Sequence, residues 1–257
     1  MKHLSNIFGS SVLKAQIFFV LAVAVGAYAI GLYGLTLSSM ILILAGYFMY
    51  GCLGVVVTFH RYWTHQSYQT SHRLTNLFSL LGCFGGTGSP LAWANIHINH
   101  HLYSDKDGDP HSPSISGLKI FTLNYQVKNK TEYLRHILKD PFQKALHRYY
   151  FLFLVVYGIA LSVIGGLYLL CFLFLIPAVI TTLMSNIVNY VGHQPSHIGG
   201  YRNFNLKDQS SNNWLWAIPS WGESWHNNHH RFPKNSTFRI KWWEFDISGV
   251  IIKIIKV

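Results

Sequence analysis

Residues 15–59 read AQIFFVLAVAVGAYAIGLYGLTLSSMILILAGYFMYGCLGVVVTF, with no Asp, Glu, Lys or Arg among them. A second charge-free stretch runs from Tyr149 to Tyr201. A membrane-spanning helix needs about 20 apolar residues, so each stretch has room for two helices and a turn. Turn residues stand near each midpoint: Gly31-Leu32-Tyr33-Gly34 leading to Ser38-Ser39 in the first, and Gly165-Gly166 in the second. The pattern predicts helices over about 15–33, 38–60, 149–168 and 171–193. Buried core helices of a soluble protein are the alternative, and two uninterrupted stretches of this length disfavour it. Composition agrees: 50% of the 257 residues are hydrophobic and 11% charged, where a soluble domain carries about 25% charged residues. An aromatic content of 16% excludes disorder.

All 20 basic residues fall outside the predicted spans, and with 9 acidic residues they leave a net charge of +11. Lys2 and Lys14 precede the first hairpin, and the rest lie between Arg61 and Arg148 or between Arg202 and Lys256. The turns near Leu32–Ser39 and Gly165 carry none. The positive-inside rule then places both termini and the central loop in the cytoplasm. A basic face against anionic headgroups accounts for the charge, and no basic helix or known motif calls for a nucleic acid. No cleavable signal peptide is expected, since the first apolar stretch runs straight into a second. Cys52, Cys83 and Cys171 are scattered through apolar segments and suggest small buried hydrophobes, not disulfides.

A third apolar stretch, Leu74–Trp93, includes Gly82, Gly85, Gly86, Gly88 and Pro90. It makes a poor straight span and would move the following histidines to the opposite membrane face, so it is read as interfacial or re-entrant and shielded by protein. Thr131–Tyr150, with Leu134, Ile137, Leu138 and Leu146 around Pro141, reads as an amphipathic surface helix feeding the third span. Val250–Val257 suits a short interfacial anchor. The expected architecture is an all-α integral membrane protein of one domain, residues 1–257, with two hairpins and a cytoplasmic helical cap over 61–148 and 194–257.

The 15 histidines are clustered. His60-Arg61-Tyr62-Trp63-Thr64-His65 ends the second predicted helix, and His97-Ile98-Asn99-His100-His101 and His226-Asn227-Asn228-His229-His230 share the pattern HxxHH. Residues at i, i+3 and i+4 lie on one helical face, so one turn can aim three imidazoles at a common point. The i, i+5 spacing of His60 and His65 requires the helix to end or bend after His60. His193, with Asn189 one turn before it, is a ninth candidate. His3, His72, His111, His136, His147 and His197 are isolated, and each is read as a surface or hydrogen-bonded side chain. Eight clustered histidines exceed the three or four ligands of one zinc site. Two metals with four or five nitrogens each account for the count, and imidazole suits Zn, Cu, Fe and Ni. Glu223 precedes His226 by three residues and Asp105 follows His101 by four. Each is read as a carboxylate orienting a ligand histidine, or else as a solvated acid.

HRYWTH, HINHH and WHNNHH resemble the three histidine boxes of the integral-membrane fatty acid desaturases, nearest to the stearoyl-CoA or Δ9 acyl branch. The resemblance continues through GSPLAW (88–93), HHLYSDKDGDPHSP (100–113), NYVGH (189–193) and WGESWHNNHHRFP (221–233), covering roughly residues 40–245 in order. It implies two iron ions held by His60, His65, His97, His100, His101, His193, His226, His229 and His230, with Asn189 acting through a water. It implies an oxidoreductase that uses O2 and two electrons to place a cis double bond in a saturated fatty acyl chain. An unactivated methylene offers a general base no acidity, so such chemistry falls to a cofactor. The family threads its substrate through a tunnel, where Trp93 matches a tunnel tryptophan whose other reading is an interfacial anchor. Two departures stand out. Asn95-Ile96 replace the Arg-Asp that acyl-CoA members often set against the CoA head group, and Thr87 replaces a Gln frequent in related bacterial sequences. The acyl carrier, whether CoA, acyl carrier protein or lipid, stays open. The resemblance also implies an external electron donor such as ferredoxin, or cytochrome b5 with its reductase. A lipid hydroxylase, ketolase or alkane hydroxylase of the same superfamily is the runner-up. A non-enzymatic His-rich membrane metal transporter comes third, because transporters place polar ligands near the bilayer midplane.

Overall fold

The computed structural model describes the backbone of residues 2–257 apart from Gln126 and Pro195, and the side chains from Val12 onward apart from the same two. His3 lies outside the described side chains. The chain is predominantly helical. Helix α1 (Lys2–Tyr33) turns at 34–36 into α2 (Leu37–Tyr47), which continues as a widened helix through Phe48–Thr64. Helices α3 (His72–Cys83) and α4 (Pro90–Tyr103) follow, then α5 (Pro113–Ser116), a 3-10 turn at Gly117–Thr122, α6 (Arg135–Lys139) and α7 (Pro141–Arg148). Helix α8 (Tyr150–Leu169) runs through widened turns at Leu170–Leu175 into α9 (Ile176–Gly192). The C-terminal part pairs β1 (Gly200–Tyr201) with β2 (Asn212–Asn213) antiparallel and ends in α10 (His226–Arg231) and α11 (Ile247–Ile255).

Among the described residues, three helical stretches are long and apolar enough to cross a membrane: Val12–Tyr33, Leu37–Thr64 and Tyr150–Gly192. The third has 43 residues, which as a straight helix would reach about 64 Å, twice a hydrocarbon core of about 30 Å. It is not straight. Gly165 and Gly166 leave the helical region, with φ −142° and +60°. A Cβ on Gly158 would lie 3.5 Å from Leu170 and 3.7 Å from Phe174, so the chain doubles back where the glycine pair was expected to turn it. Val163 and Ile164 at that tip are 81% and 75% exposed, apolar surface suited to lipid and costly in water.

Close packing around the second stretch fixes the centre of the fold. Tyr50 is fully buried, bonded through its hydroxyl to Tyr157 (2.6 Å) and the Leu173 carbonyl (2.9 Å). Its ring meets Phe84 and Phe174 edge-on. Helix α3 lies against the widened helix so tightly that a Cβ on Gly54 would sit 2.2 Å from the Gly82 Cα. The glycine-rich run from 74 to 93 is therefore a helix packed on protein, a turn with Gly86 and Gly88 at φ +76° and +97°, and the start of α4. It is not a span.

Two expectations are corrected. The second helix does not end at His60 but runs on to Thr64 as a widened helix, with His65 at its C-cap. The His65 N–H donates to the His60 carbonyl (3.1 Å), and the Thr58 and Thr64 hydroxyls reach carbonyls five residues back. In an α-helix, residues five apart are about 140° apart around the axis; a five-residue hydrogen-bond repeat brings them to within about 50°, onto one face. Nor is Thr131–Tyr150 one helix. It breaks at Asp140, whose carboxylate caps α7 by accepting from the N–H groups of Phe142 (2.8 Å) and Gln143 (3.0 Å), with Pro141 in the first turn. Leu134, Ile137 and Leu146 are nonetheless buried as the pattern required.

The Gly54–Gly82 contact makes a prediction. Gly54→Ala should lower the thermal unfolding midpoint in detergent, at a cost on the order of 1–3 kcal/mol. Gly31→Ala, where a Cβ meets nothing within 4 Å, should leave it unchanged or raise it slightly. Equal midpoints for the two variants would contradict the packing described.

Candidate metal centre

Nine imidazoles converge in two groups. His60, His65, His97, His101 and His229 form one, and His100, His193, His226 and His230 the other, with the donor atoms of each group within 4.8 Å of one another. In the first, Nε2 of His97 is 3.0 Å from that of His65, 2.9 Å from that of His101 and 3.3 Å from that of His229. His60 joins through His229 at 3.1 Å. In the second, Nε2 of His193 is 3.1 Å from that of His100 and 3.0 Å from that of His226, while His100 and His230 are 3.2 Å apart. Nitrogens about 2.1 Å from a common ion and about 90° apart would show spacings of about 3 Å. The donor sets therefore fit metal ions.

Each HxxHH box divides, where the spacing alone allowed all three imidazoles one target. His97 and His101 face the five-nitrogen group while His100 faces the other; His226 and His230 face the four-nitrogen group while His229 faces the first. Positions i and i+4 differ by about 40° around a helix, and i+3 falls about 60° to the other side. Each box thus gives a pair to one group and a single ring to the other.

Four rings are held from behind. His193 Nδ1 donates to Asp105 (2.8 Å), His100 Nδ1 to Asp109 (3.0 Å), His230 Nδ1 to Asp208 (3.2 Å), and His60 Nδ1 to Glu223. A proton fixed on Nδ1 leaves Nε2 free to bind an ion. Asp105 and Glu223 were expected near ligand histidines. Glu223 engages His60 rather than its sequence neighbour His226. Asp109 and Asp208 were missed. Asp109 follows His100 by nine residues within DKDGDPH, and Asp208 lies in a loop that nothing local ties to His230.

Arg61 was also missed. It is fully buried and uses all five donors: Nε and Nη2 to Glu223, both Nη groups to Asp246, and Nη1 to the Ser236 carbonyl. Asn227 and Asn228, between the histidines of the third box, tie α10 to Asn203, Phe204, Ser210, Asn212 and Phe238. Gly192 lets His226 approach, since a Cβ there would lie 2.9 Å from that ring.

Burial first, and then the crowding of neighbouring imidazoles, holds His65, His97, His101, His226, His229 and His230 well below the usual histidine range. They stay neutral at pH 7, as ligation requires. Burial raises Asp105, but the His193, Ser112 and Gln209 hydrogen bonds outweigh it and hold that carboxyl at about 2.

A cavity of about 540 Å³ opens onto both groups, reaching His60, His97 and His226, within the size range of ligand pockets. Trp93 lines it and stacks on His97, centroids 4.8 Å apart. Thr87 lines it too, its hydroxyl buried without a hydrogen-bond partner among the described residues, as do Ile96 and Asn189. Asn95 faces elsewhere, accepting from the Lys130 N–H (2.9 Å). Of the isolated histidines, His111 is buried with its ring 4.4 Å from His100, His147 bonds Ser89, and His136 bonds the Trp63 carbonyl. His72 is exposed.

The fatty acid desaturase profile matches residues 36–247. The chain belongs to the fatty acid desaturase family. It is thus an oxidoreductase acting on fatty acyl chains. Among its relatives, a hex-5-enoyl-[acyl-carrier protein] acetylenase of Moorena producens (strain JHB) is 32% identical over 235 residues, covering 82% of this chain and 72% of that protein. The sn-1 stearoyl-lipid 9-desaturase of Anabaena variabilis is 31% identical, covering 82% and 78%. The acyl-CoA C20 Δ5-desaturase of Anemone leveillei is 30% identical, covering 82% and 68%. Within the family, the neighbours that hold the imidazoles are open to test. Asp109→Asn or Asp208→Asn should weaken metal retention about 10- to 100-fold against a competing chelator. Metal-free protein should lose stability on acidification from pH 7.5 to 5.5. The unfolded chain takes up protons at these histidines near 6.5 and the folded chain does not, so stability rises with pH through that window. A flat profile would contradict the neutral cluster.

Proposed function

We propose that this desaturase introduces a cis double bond, of Δ9 type, into a saturated acyl chain at a centre of two iron ions. The observation that carries the reading is the division of nine imidazole nitrogens, six of them on buried residues and three on half-buried ones, into groups of five and four, both facing one apolar-walled cavity. His60, His65, His97, His101 and His229 would hold one ion. His100, His193, His226 and His230 would hold the other, with Asn189 completing it through a water. Bound iron, with O2 and two electrons, supplies the oxidising power to take one hydrogen from each of two adjacent methylenes; with two protons, O2 leaves as two waters.

The residues of the chain do the rest. Glu223, Asp105, Asp109 and Asp208 fix ring tautomers and orientation. Trp93, stacked on His97, and Thr87 form the wall that seats one pair of carbons beside the histidines. Val55, Val56 and Val188 keep that wall apolar and exclude water. The Δ9 assignment draws on relatives named as 9-desaturases.

We further assign four spans to the bilayer, counting the two arms around Gly165–Gly166 separately, within a single domain over 1–257. Basic residues confined to 61–148, 202–256 and the N-terminal end put both termini and the histidine-bearing cap in the cytoplasm. An acidic carrier, ferredoxin or cytochrome b5 served by its reductase, would dock on that basic face.

Natively purified protein should contain about two irons per chain, and zinc alone would count heavily against the reading. Expression in a host lacking unsaturated fatty acids should yield a new cis-monoene in total lipids by mass spectrometry. His100→Ala or His229→Ala should abolish it, while His72→Ala, at an exposed side chain, should not. A hydroxylated lipid in place of the monoene would overturn desaturation.

A further inference from the structure

Part of the cavity lining comes from helices other than those that carry the nine clustered histidines. Val12, Lys14, Ala15, Arg148 and Phe151 line it where α1 meets the start of α8. Lys14 and Arg148 are the cavity's only lysine and arginine among the described residues, and its one carboxylate, Glu223, is engaged by His60 and Arg61. Both cations are exposed. They flank two apolar runs, Lys14 just before the charge-free residues 15–59 and Arg148 two residues before the candidate span Tyr150–Gly192. Their neighbours Leu13, Ile17, Tyr149 and Leu152 are exposed apolar side chains, surface that suits lipid. The Lys14 ammonium lies 5.7 Å from the Phe151 ring, so the two helices meet at this mouth.

Below the mouth, α1 and α8 do not close on each other. A crevice of about 320 Å³ runs between them, with Leu21, Ala22 and Val25 on one side and Leu154, Gly158 and Ile159 on the other. Phe18 lines this crevice, and a Cβ on Gly86, in the cavity wall, would be 3.3 Å from its ring. An apolar path between two helices thus ends against the wall of the cavity that reaches the histidines, with paired cations at its headgroup end.

We propose that the acyl chain enters laterally between α1 and α8, from a membrane glycerolipid whose anionic phosphate headgroup rests on Lys14 and Arg148. The inference rests on the acyl-desaturase reading of the cavity and names its substrate class. CoA and the acyl carrier protein prosthetic group also carry phosphate. They arrive through water, whereas this mouth is framed by side chains suited to lipid. A lipid phosphate at a bilayer surface gains about tenfold or less from each nearby cation, which sets the effect to expect.

The test uses stearoyl probes with a photoreactive diazirine at mid-chain, carried on phosphatidylglycerol, on a neutral galactolipid, on CoA and on acyl carrier protein. Each is presented to the whole protein in vesicles, and the labelled peptides are mapped by mass spectrometry. Phosphatidylglycerol should deliver label to cavity peptides holding Val55, Trp93 or Thr182. Lys14→Glu with Arg148→Glu should cut that labelling about tenfold or more, and Lys14→Arg with Arg148→Lys should retain it. Equal labelling from the galactolipid would overturn the proposal. So would cavity labelling from a thioester while the phospholipid marks only lipid-exposed residues such as Val20 and Val163. Desaturation of the corresponding unmodified stearoyl chains, on the same four carriers, is scored separately. A labelled cavity with no unsaturated product would sink the desaturase reading and leave the entry route standing. Product from a thioester, with no phospholipid label in the cavity, would sink the entry route alone.

Discussion

Arg61 is the charge around which the histidine-bearing segments are assembled. A buried guanidinium with unsatisfied donors is strongly destabilising, so its position is tolerable only when every N–H finds an acceptor. Here all five do, through Glu223, Asp246 and the Ser236 carbonyl. The ring of Phe238 covers it, 3.9 Å from the guanidinium carbon. The partners come from segments far apart in sequence. Glu223 turns its other oxygen to His60, and Asp246 accepts from the Phe238 N–H and from the Gly249 N–H at the start of α11. One side chain thereby joins the end of the second span to the third histidine box and the C-terminal helix. Removing it would leave the Glu223 and Asp246 carboxylates without their cation, so the third histidine box, the C-terminal helix and the five-nitrogen group depend on it together.

The histidine geometry follows from that anchoring and from helical periodicity. An α-helix cannot bring i and i+5 together, and a widened one can. An HxxHH box on one helix cannot serve a single ion as readily as it serves two, because i+4 and i+3 fall on opposite sides of i. Two such boxes, on α4 and α10, each divide two and one; His60 and His65 complete the five, and His193 the four. The boxes give three rings to each group, so the five-to-four asymmetry arises because the widened helix adds two rings and His193 only one.

Much of this was legible in the sequence because the decisive signals are local. Charge-free length marks the spans, Gly165-Gly166 marks the reversal, and the spacing of the boxes marks the histidines. What stayed hidden is non-local. Nothing near Asp208 in the chain points to His230, and Arg61 reads as one basic residue at a membrane boundary until Asp246, 185 residues away, is brought to it. The widened helix was also hidden. HRYWTH has no composition that distinguishes a five-residue hydrogen-bond repeat from a helix that stops, and the repeat is held by packing, with Gly54 against Gly82. The break at Asp140 was readable from Asp-Pro, a cap followed by a first-turn proline, and the apolar pattern across it drew the eye past it.

The scarcity of acid takes on a different meaning in three dimensions. Of the 9 carboxylates, Asp105, Asp109, Asp208 and Glu223 stand behind histidine rings. Asp246 neutralises Arg61, and Glu244 braces the third box through Asn228 (2.9 Å). Two divalent ions in the imidazole groups would bring four positive charges into a region that excludes water. Nine neutral imidazoles cannot offset them, and four carboxylates at the ring backs can. Buried charge has to be matched locally, so the same feature that orients the ligands also makes a doubly loaded centre electrostatically tolerable. The concentration of acid there leaves the rest of the chain more basic than its composition suggests, and the net charge of +11 is therefore carried largely by the surface, where headgroups and an acidic electron carrier would meet it.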